Sequence, residues 1–175
     1  MQSMNRRDFL AAAIGSSLAA GGLLQRAHAE QAGKPRIRFG VIGCGNYGMA
    51  DIRAAFNAGG VEIVALCDVD SQHLKDAADK VEQSQDSRPR TFKHYREMLE
   101  APSLDAVIIA TPPQWHALPF IAAVEKGLDV YCEKPLAYDI REGRAMVDAA
   151  IVPPVIVQTG LHRRHSPSNS KEHTS

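Results

Sequence analysis

The chain has 175 residues, 20 basic and 20 acidic side chains, and 45% hydrophobic residues. This length fits one ordinary domain with a buried core. No basic run alternates with aromatic residues, which argues against a nucleic-acid partner.

The first 29 residues have the pattern of an export signal. Residues 6–10 read Arg-Arg-Asp-Phe-Leu, a weakly apolar stretch rich in Ala, Gly and Ser follows, and residues 27–29 form a small-x-small cleavage site. The arginine pair and the low hydrophobicity favour the twin-arginine route, which carries folded proteins. A general secretory signal and an uncleaved anchor are the alternatives. We therefore predict a periplasmic or secreted protein with no stable membrane span after signal cleavage.

The signal contains three arginines and one aspartate, so the residues after it carry a net charge of −2. Residues 30–36 are polar and contain Pro35, which predicts a linker. Residues 166–175 are polar and without apolar pattern, so we expect a disordered tail. The folded domain is therefore predicted to span residues 37–165.

Short apolar segments alternate with segments of helical spacing along this domain. The predicted strands are 37–42, 61–67, 91–92, 106–110, 129–132 and 155–158. The predicted helices are 46–58, 71–85 with Ser71 as its cap, 95–101, 114–126, and one from the capping pair Asp139 and Glu142 to residue 150. This alternation is typical of an α/β fold with a doubly wound parallel sheet, the Rossmann fold.

Three cysteines are present, Cys44, Cys67 and Cys132. Their odd number and the lack of a Cys-x-x-Cys pair make a disulfide framework unfavourable. We interpret them as small buried residues near strand ends. A disulfide between Cys44 and Cys67 stays open, because the two would lie on neighbouring strands.

Gly43, Gly45 and Gly48 form a G-x-G-x-x-G motif between a predicted strand and a predicted helix, the context in which this motif binds dinucleotides. Gly43 permits a tight turn, Gly45 leaves room for a pyrophosphate, and Gly48 lets the helix pack on the strand. Asn46 and Tyr47 open the helix, whose free N–H groups would face the phosphates. A structural turn without a ligand is the alternative interpretation.

Asp68 follows Gly48 by 20 residues, at the end of the second predicted strand. An acid at this position accepts hydrogen bonds from the adenosine ribose and repels a 2′-phosphate. No arginine or lysine neighbours Asp68 in the sequence, so we predict NAD rather than NADP as the cofactor. A plain helix cap is the alternative.

Three further segments complete a recognisable pattern: Ala-Thr-Pro-Pro-Gln-Trp-His at 110–116, Glu-Lys-Pro-Leu at 133–136, and Val-Gln-Thr-Gly at 157–160 followed by Arg163-Arg164. Together with the glycine motif and Asp68, this order resembles the Gfo/Idh/MocA oxidoreductase family. That family includes glucose–fructose oxidoreductase and inositol dehydrogenase. The resemblance covers residues 36–167.

The resemblance implies roles for residues at two strand ends. Thr111 and Pro112 correspond to the segment that lines the dinucleotide, and His116 would lie near the nicotinamide side of the cleft. Lys134 corresponds to the lysine between nicotinamide and substrate that takes part in the proton relay, and Glu133 would contact the nicotinamide ribose. Lys134 and His116 are therefore the predicted catalytic residues.

Physical chemistry supports this placement, because open α/β sheets bind ligands at strand carboxyl ends and alcohol oxidation needs a proton acceptor. A surface lysine paired with Glu133 is the alternative for Lys134, and a cap or packing residue is the alternative for His116. Trp115 is interpreted as a packing or cleft-wall residue. The cluster at 162–165, His-Arg-Arg-His, lacks an acid or cysteine to complete a ligand set, so no metal site is predicted.

The resemblance implies an NAD-dependent oxidoreductase acting on a sugar, polyol or related hydroxyl compound, with a homo-oligomer left open. Members of the family have a second α/β domain that supplies most substrate contacts and a further histidine. We expect this chain to lack that domain and to represent the nucleotide-binding half, which leaves open whether it is itself an enzyme. The alternatives are an exported NAD-dependent glycosidase of the same family, which uses transient oxidation to cleave a bond, and a non-catalytic dinucleotide-binding fragment.

Overall fold

The computed structural model describes residues 36–100, 103–151 and 153–161. The predicted signal peptide at 1–29, the basic cluster at 162–165 and the polar tail at 166–175 lie outside the described residues. Residues 30–35 of the predicted linker also lie outside the described residues, and Arg36 is described.

The described residues form six strands and five α-helices in alternation. The strands are β1 (Ile37–Ile42), β2 (Val61–Cys67), β3 (Arg90–Phe92), β4 (Ala106–Ile109), β5 (Asp129–Glu133) and β6 (Val157–Gly160). The helices are α1 (Asn46–Ala58), α2 (Ser71–Gln85), α3 (Tyr95–Leu99), α4 (Ala117–Glu125) and α5 (Ile140–Ala150), with a 3₁₀ turn at Pro113–Trp115.

All strand pairs are parallel, and the order across the sheet is β3-β2-β1-β4-β5-β6. The chain winds outward from β1 in one direction and then from β4 in the other. This confirms the predicted doubly wound α/β fold. The point where the order reverses lies between β1 and β4, and open sheets of this kind bind ligands in the crevice at that point.

Helices cover both faces of the sheet, so the central strands are buried on both sides. All four residues of β4 are buried. One apolar cluster contains Phe120 and Met146, and the cluster on the other face contains Ile52 and Leu66. The sheet is therefore a rigid platform that fixes where each strand ends.

The predicted helix at 114–126 is two elements, which corrects the sequence analysis. A 3₁₀ turn comes first, because the N–H groups of Trp115 and His116 donate to carbonyls three residues earlier, at 2.8 and 3.1 Å. The α-helix begins only at Ala117. Pro119 has no N–H to donate, and proline is tolerated in the first turn of a helix but not inside it.

Smaller boundary differences also have local causes. Asp70, not Ser71, caps α2, because its carboxylate accepts hydrogen bonds from the N–H groups of His73 and Gln72, and these bonds lower the pKa of Asp70. The last strand begins at Val157 rather than residue 155, because the Ile156 N–H donates to the Asp129 side chain at 2.7 Å.

The helix at 46–58 has its predicted bounds, and the last differences concern α3 and α5. α3 ends at Leu99 rather than residue 101. The predicted capping pair is present at α5, where the Glu142 N–H donates to the Asp139 carboxylate at 2.8 Å. The Glu142 carboxylate accepts in return from the Tyr138 N–H at 3.2 Å.

All three cysteines are free and buried, which confirms their interpretation as buried apolar residues. Burial raises the pKa of Cys67 and of Cys132 to about 12, and it raises the pKa of Cys44 further. Within the described ranges, no group of histidine, cysteine and acidic residues is arranged to hold a metal ion. No helix in the same ranges is long and apolar enough to cross a membrane.

Candidate dinucleotide-binding site

The turn between β1 and α1 depends on two glycines. Gly43 has a φ of +95°, and a Cβ on it would meet the backbone carbonyl of Ala110 at 2.7 Å. A Cβ on Gly48 would collide with the Gly43 carbonyl oxygen. Both glycines are therefore required for α1 to start directly above the ends of β1 and β4, as the motif predicts.

Gly45 has a different role. Its φ of −72° is open to any residue, and a Cβ on it would meet nothing within 4 Å. It precedes α1, where the first helical bond runs from the Met49 N–H to the Gly45 carbonyl at 2.9 Å. The earlier N–H groups of the helix have no helical partner. The open space beside unpaired amides and a positive helix end fits the pyrophosphate of a dinucleotide.

The open space belongs to a cavity of about 920 Å³ at the carboxyl edge of the sheet. Nine of the eleven predicted site residues line it: Gly43, Gly45, Asn46, Tyr47, Asp68, Thr111, Pro112, Glu133 and Lys134. The exceptions are Gly48, which packs beneath the turn, and His116. Trp115 also lines the cavity and is 57% exposed, in agreement with a cleft-wall residue.

Asp68 joins the end of β2 to the glycine turn. One carboxylate oxygen accepts from the Cys44 N–H at 2.6 Å, and the other accepts from the Asp70 N–H at 2.9 Å. Asp70 caps α2, so Asp68 is not the plain helix cap considered above. Each carboxylate oxygen has a second lone pair, so Asp68 can still accept hydrogen bonds from a ribose.

His116 is almost completely buried, with 1% of its surface exposed. Its Nδ1 lies 2.9 Å from the Pro135 carbonyl oxygen, and its Nε2 lies 2.7 Å from the Thr111 carbonyl oxygen. The ring therefore joins the turn after β4 to the turn after β5, behind the cavity wall. This position favours the packing interpretation of His116 over direct contact with a nicotinamide.

Glu133 and Lys134 both line the cavity at the end of β5. The Glu133 side chain is buried, and its Oε1 lies 3.3 Å from the Tyr131 hydroxyl, which donates to it. The Lys134 ammonium lies 4.9 Å from the centre of the Tyr47 ring, within range of a cation–π interaction. The Lys134 side chain therefore lies at the cavity, beside the Tyr47 ring.

Sequence reasoning missed a set of basic residues at the opposite end of the cavity, near Asp68. They are His73, Lys93, His94 and Arg96. His73 follows Asp68 closely in the sequence, but the other three do not, and the pairing of β2 with β3 brings Lys93 beside Asp68. A prediction that β3 pairs with β2 would have placed the residues after β3 near Asp68.

The fold and the cavity define a domain that binds a nicotinamide dinucleotide. The family described as an oxidoreductase family with an NAD-binding Rossmann fold matches residues 37–161. The chain belongs to this family, Gfo/Idh/MocA.

The curated relatives include a glycosyl hydrolase family 109 protein of Stenotrophomonas maltophilia, which is 36% identical over 139 residues. That match covers 76% of this chain and 30% of the relative. A second, from Shewanella baltica, is 31% identical and covers 86% of this chain and 38% of the relative. The chain thus spans less than two fifths of these relatives.

Solved structures give a consistent result. A myo-inositol 2-dehydrogenase from Lactobacillus plantarum superposes with a TM-score of 0.71 at 32% identity, over 78% of this chain and 40% of that one. The WlbA dehydrogenase from Bordetella pertussis, solved with NADH and UDP-GlcNAcA, superposes with a TM-score of 0.68 at 29% identity, over the same shares. A myo-inositol dehydrogenase from Lactobacillus casei, solved with NAD(H) and myo-inositol, gives 0.71 at 25% identity, again over the same shares.

Removal of the His116 ring should weaken both the fold and the cavity. We expect His116→Ala to lower the free energy of unfolding by about 2–3 kcal/mol, because the Thr111 and Pro135 carbonyls lose their partner and a void remains. Affinity for NAD should fall severalfold, because both turns border the cavity. His116→Gln, which keeps one donor group, should recover part of each loss.

The measurements are urea unfolding and NAD titration on the same preparations. His116→Ala with wild-type stability would contradict the role of His116 as a link between the two turns.

Proposed function

We propose that this domain holds NAD as the cofactor half of a site that oxidises or reduces a hydroxyl-bearing carbon of a sugar, polyol or related compound. The observation that carries the proposal is the convergence of Gly45, Asp68, Thr111 and Lys134 on one cavity at the point where the strand order reverses. These residues come from the ends of different strands, and this edge of the sheet is where dinucleotides bind.

Each part of the dinucleotide has a place along the cavity. Asp68 would accept hydrogen bonds from the adenosine ribose, and the amides at the start of α1 would bind the pyrophosphate. Thr111 and Pro112 would line the dinucleotide where β4 ends, and the nicotinamide would then lie toward Lys134. When bound, NAD supplies the acceptor for a hydride.

Lys134 is the group that we assign to the proton. Oxidation of an alcohol removes a hydride from carbon and a proton from oxygen, and the proton needs an acceptor. The Nζ atom of Lys134, in its amine form, would accept that proton. The Tyr47 ring and the buried His116 would hold the lysine and its turn in place.

The relatives support a carbohydrate-like substrate. Two of the solved relatives contain myo-inositol or UDP-GlcNAcA together with the dinucleotide. The present chain spans about 40% of those proteins, so the substrate itself is inferred from their chemistry and not from contacts made by the described residues. A homo-oligomer stays a prediction.

A glycosidase of the same family is the second candidate, because curated relatives carry the name glycosyl hydrolase family 109. Such an enzyme would need the same cofactor half, since it oxidises its substrate transiently and then reduces it. The two activities differ in their products. A dehydrogenase accumulates NADH, whereas a glycosidase releases free sugar without net NADH, and a non-catalytic fragment binds NAD and does neither.

Bound dinucleotide should shield Lys134 from an amine-reactive acylating reagent. We expect saturating NADH to slow the modification of Lys134 severalfold, because its ammonium lies at the cavity. Lys75 and Lys80 on the exposed face of α2 are internal controls and should react at unchanged rates. Mass spectrometry of proteolytic peptides measures all three, and equal labelling of Lys134 with and without bound NADH would refute its placement beside the nicotinamide.

We also propose twin-arginine export, supported by the arginine pair at 6–7, the weakly apolar stretch and the cleavage pattern at 27–29. A signal of this kind suits a protein that must fold around a dinucleotide before export. Residues 1–29 fused to a folded reporter should direct it out of the cytoplasm, with cleavage after Ala29.

Arg6→Lys combined with Arg7→Lys should abolish that export, because the pair is the recognised feature. Arg26→Lys is the matched control and should leave export intact. Reporter fractionation and the mass of the mature form give the result, and full export by the double variant would exclude this route.

A further inference from the structure

The pairing of β2 with β3 places Lys93 beside Asp68, although the two residues are far apart in the sequence. β2 and β3 are paired in parallel, and their last aligned residues are Cys67 and Phe92. The Asp68 N–H donates to the Phe92 carbonyl at 3.2 Å. Asp68 and Lys93 are the next residues of the two strands, so they leave the sheet side by side at its carboxyl edge.

Lys93 is one of four basic residues that line this end of the cavity. Lys93, His94 and Arg96 come from the segment after β3, and His73 comes from the first turn of α2. All four are exposed. Among the described residues, neither Lys93 nor Arg96 takes part in an ion pair. The Arg96 guanidinium instead lies over the Tyr95 ring, which also lines the cavity, at 4.7 Å from its centre.

The acids at this end are Asp68 and Asp70. The Asp70 carboxylate already accepts hydrogen bonds from the His73 and Gln72 N–H groups at the start of α2. Asp68 is therefore the acid that a ligand at the end of β2 would meet first. Its carboxylate is held in place by the Cys44 and Asp70 N–H groups, so it cannot turn away from an approaching phosphate without losing both.

We propose that the adenosine end of the cleft is a phosphate site kept closed by one side chain: Lys93 and Arg96 would bind the 2′-phosphate of NADP, and Asp68 alone excludes it. The inference rests on the proposed function, because it assumes that the adenosine ribose lies at Asp68. A carboxylate repels a 2′-phosphate, whereas arginine and lysine bind phosphate through charge-assisted hydrogen bonds. No basic residue needs to be introduced for NADP to bind.

Asp68→Asn removes the charge and gives up one hydrogen bond, because the amide NH₂ cannot accept from the Asp70 N–H. The amide oxygen can still accept from the Cys44 N–H, so the glycine turn keeps its link to β2. The amide NH₂ replaces a negative charge with a donor. We expect NADP affinity to rise by about tenfold, with a smaller loss of NAD affinity.

The experiment compares NAD and NADP titrations of the full chain at fixed ionic strength. Trp115 is the only tryptophan and lines the cavity, so its fluorescence reports binding of either dinucleotide. The gain of Asp68→Asn should disappear when Lys93→Ala and Arg96→Ala are added. Arg90→Ala is the matched control, because Arg90 lies on β3 over Phe92 and outside the cavity lining, and it should leave the gain intact.

Three outcomes are decisive. NAD binding by the wild-type chain with no NADP gain in Asp68→Asn would overturn this inference and leave the proposed function standing. A gain that persists without Lys93 and Arg96 would overturn their role as the phosphate ligands. Failure of the wild-type chain to bind NAD at all would overturn the proposed function and this inference with it.

Discussion

The structure depends on the close approach of the glycine turn to the end of β4. The backbone at Gly43 lies so near the Ala110 carbonyl that no side chain fits between them, and Gly48 allows α1 to close over the turn. Asp68 then fixes the turn from the other side through the Cys44 N–H at 2.6 Å. These contacts direct the N–H groups at the start of α1 toward the crevice where the strand order reverses. The close approach at Gly43 therefore positions both the turn and the helix end that can bind an anion.

A second link organises the other half of the cleft. His116 joins the Thr111 and Pro135 turns from behind the wall, and a neutral imidazole can donate to only one of the two carbonyls at a time. Lys134, next to Pro135, projects toward the Tyr47 ring on the glycine turn. At this edge of the sheet, polar contacts thus connect α1 with the turns after β4 and β5. The position of the lysine therefore depends on His116 behind the cavity wall and on Tyr47 at the cavity.

Much of this was accessible from the sequence, because parallel strands are apolar throughout and the glycine motif has a fixed structural context. The strands at 37–42 and 61–67 and the helix at 46–58 were predicted at the observed bounds. The break before Ala117 was missed, although Pro119 signals it. Lys93, His94 and Arg96 were missed for a deeper reason: they come near Asp68 through the pairing of β2 with β3, and local periodicity does not reveal which strands pair. The burial of His116 likewise depends on the turn at Pro135, far along the chain.

We infer that the space beside Gly45 is kept open for the pyrophosphate of NAD. Gly45→Val tests it most directly, since the backbone there is open to any residue and the added side chain would meet no protein atom within reach of its Cβ. Calorimetric titration of NAD into both proteins, alongside their thermal unfolding, gives the answer. We expect the wild-type chain to bind NAD and the valine variant to stay folded with no measurable binding. A folded valine variant with wild-type NAD affinity would contradict it.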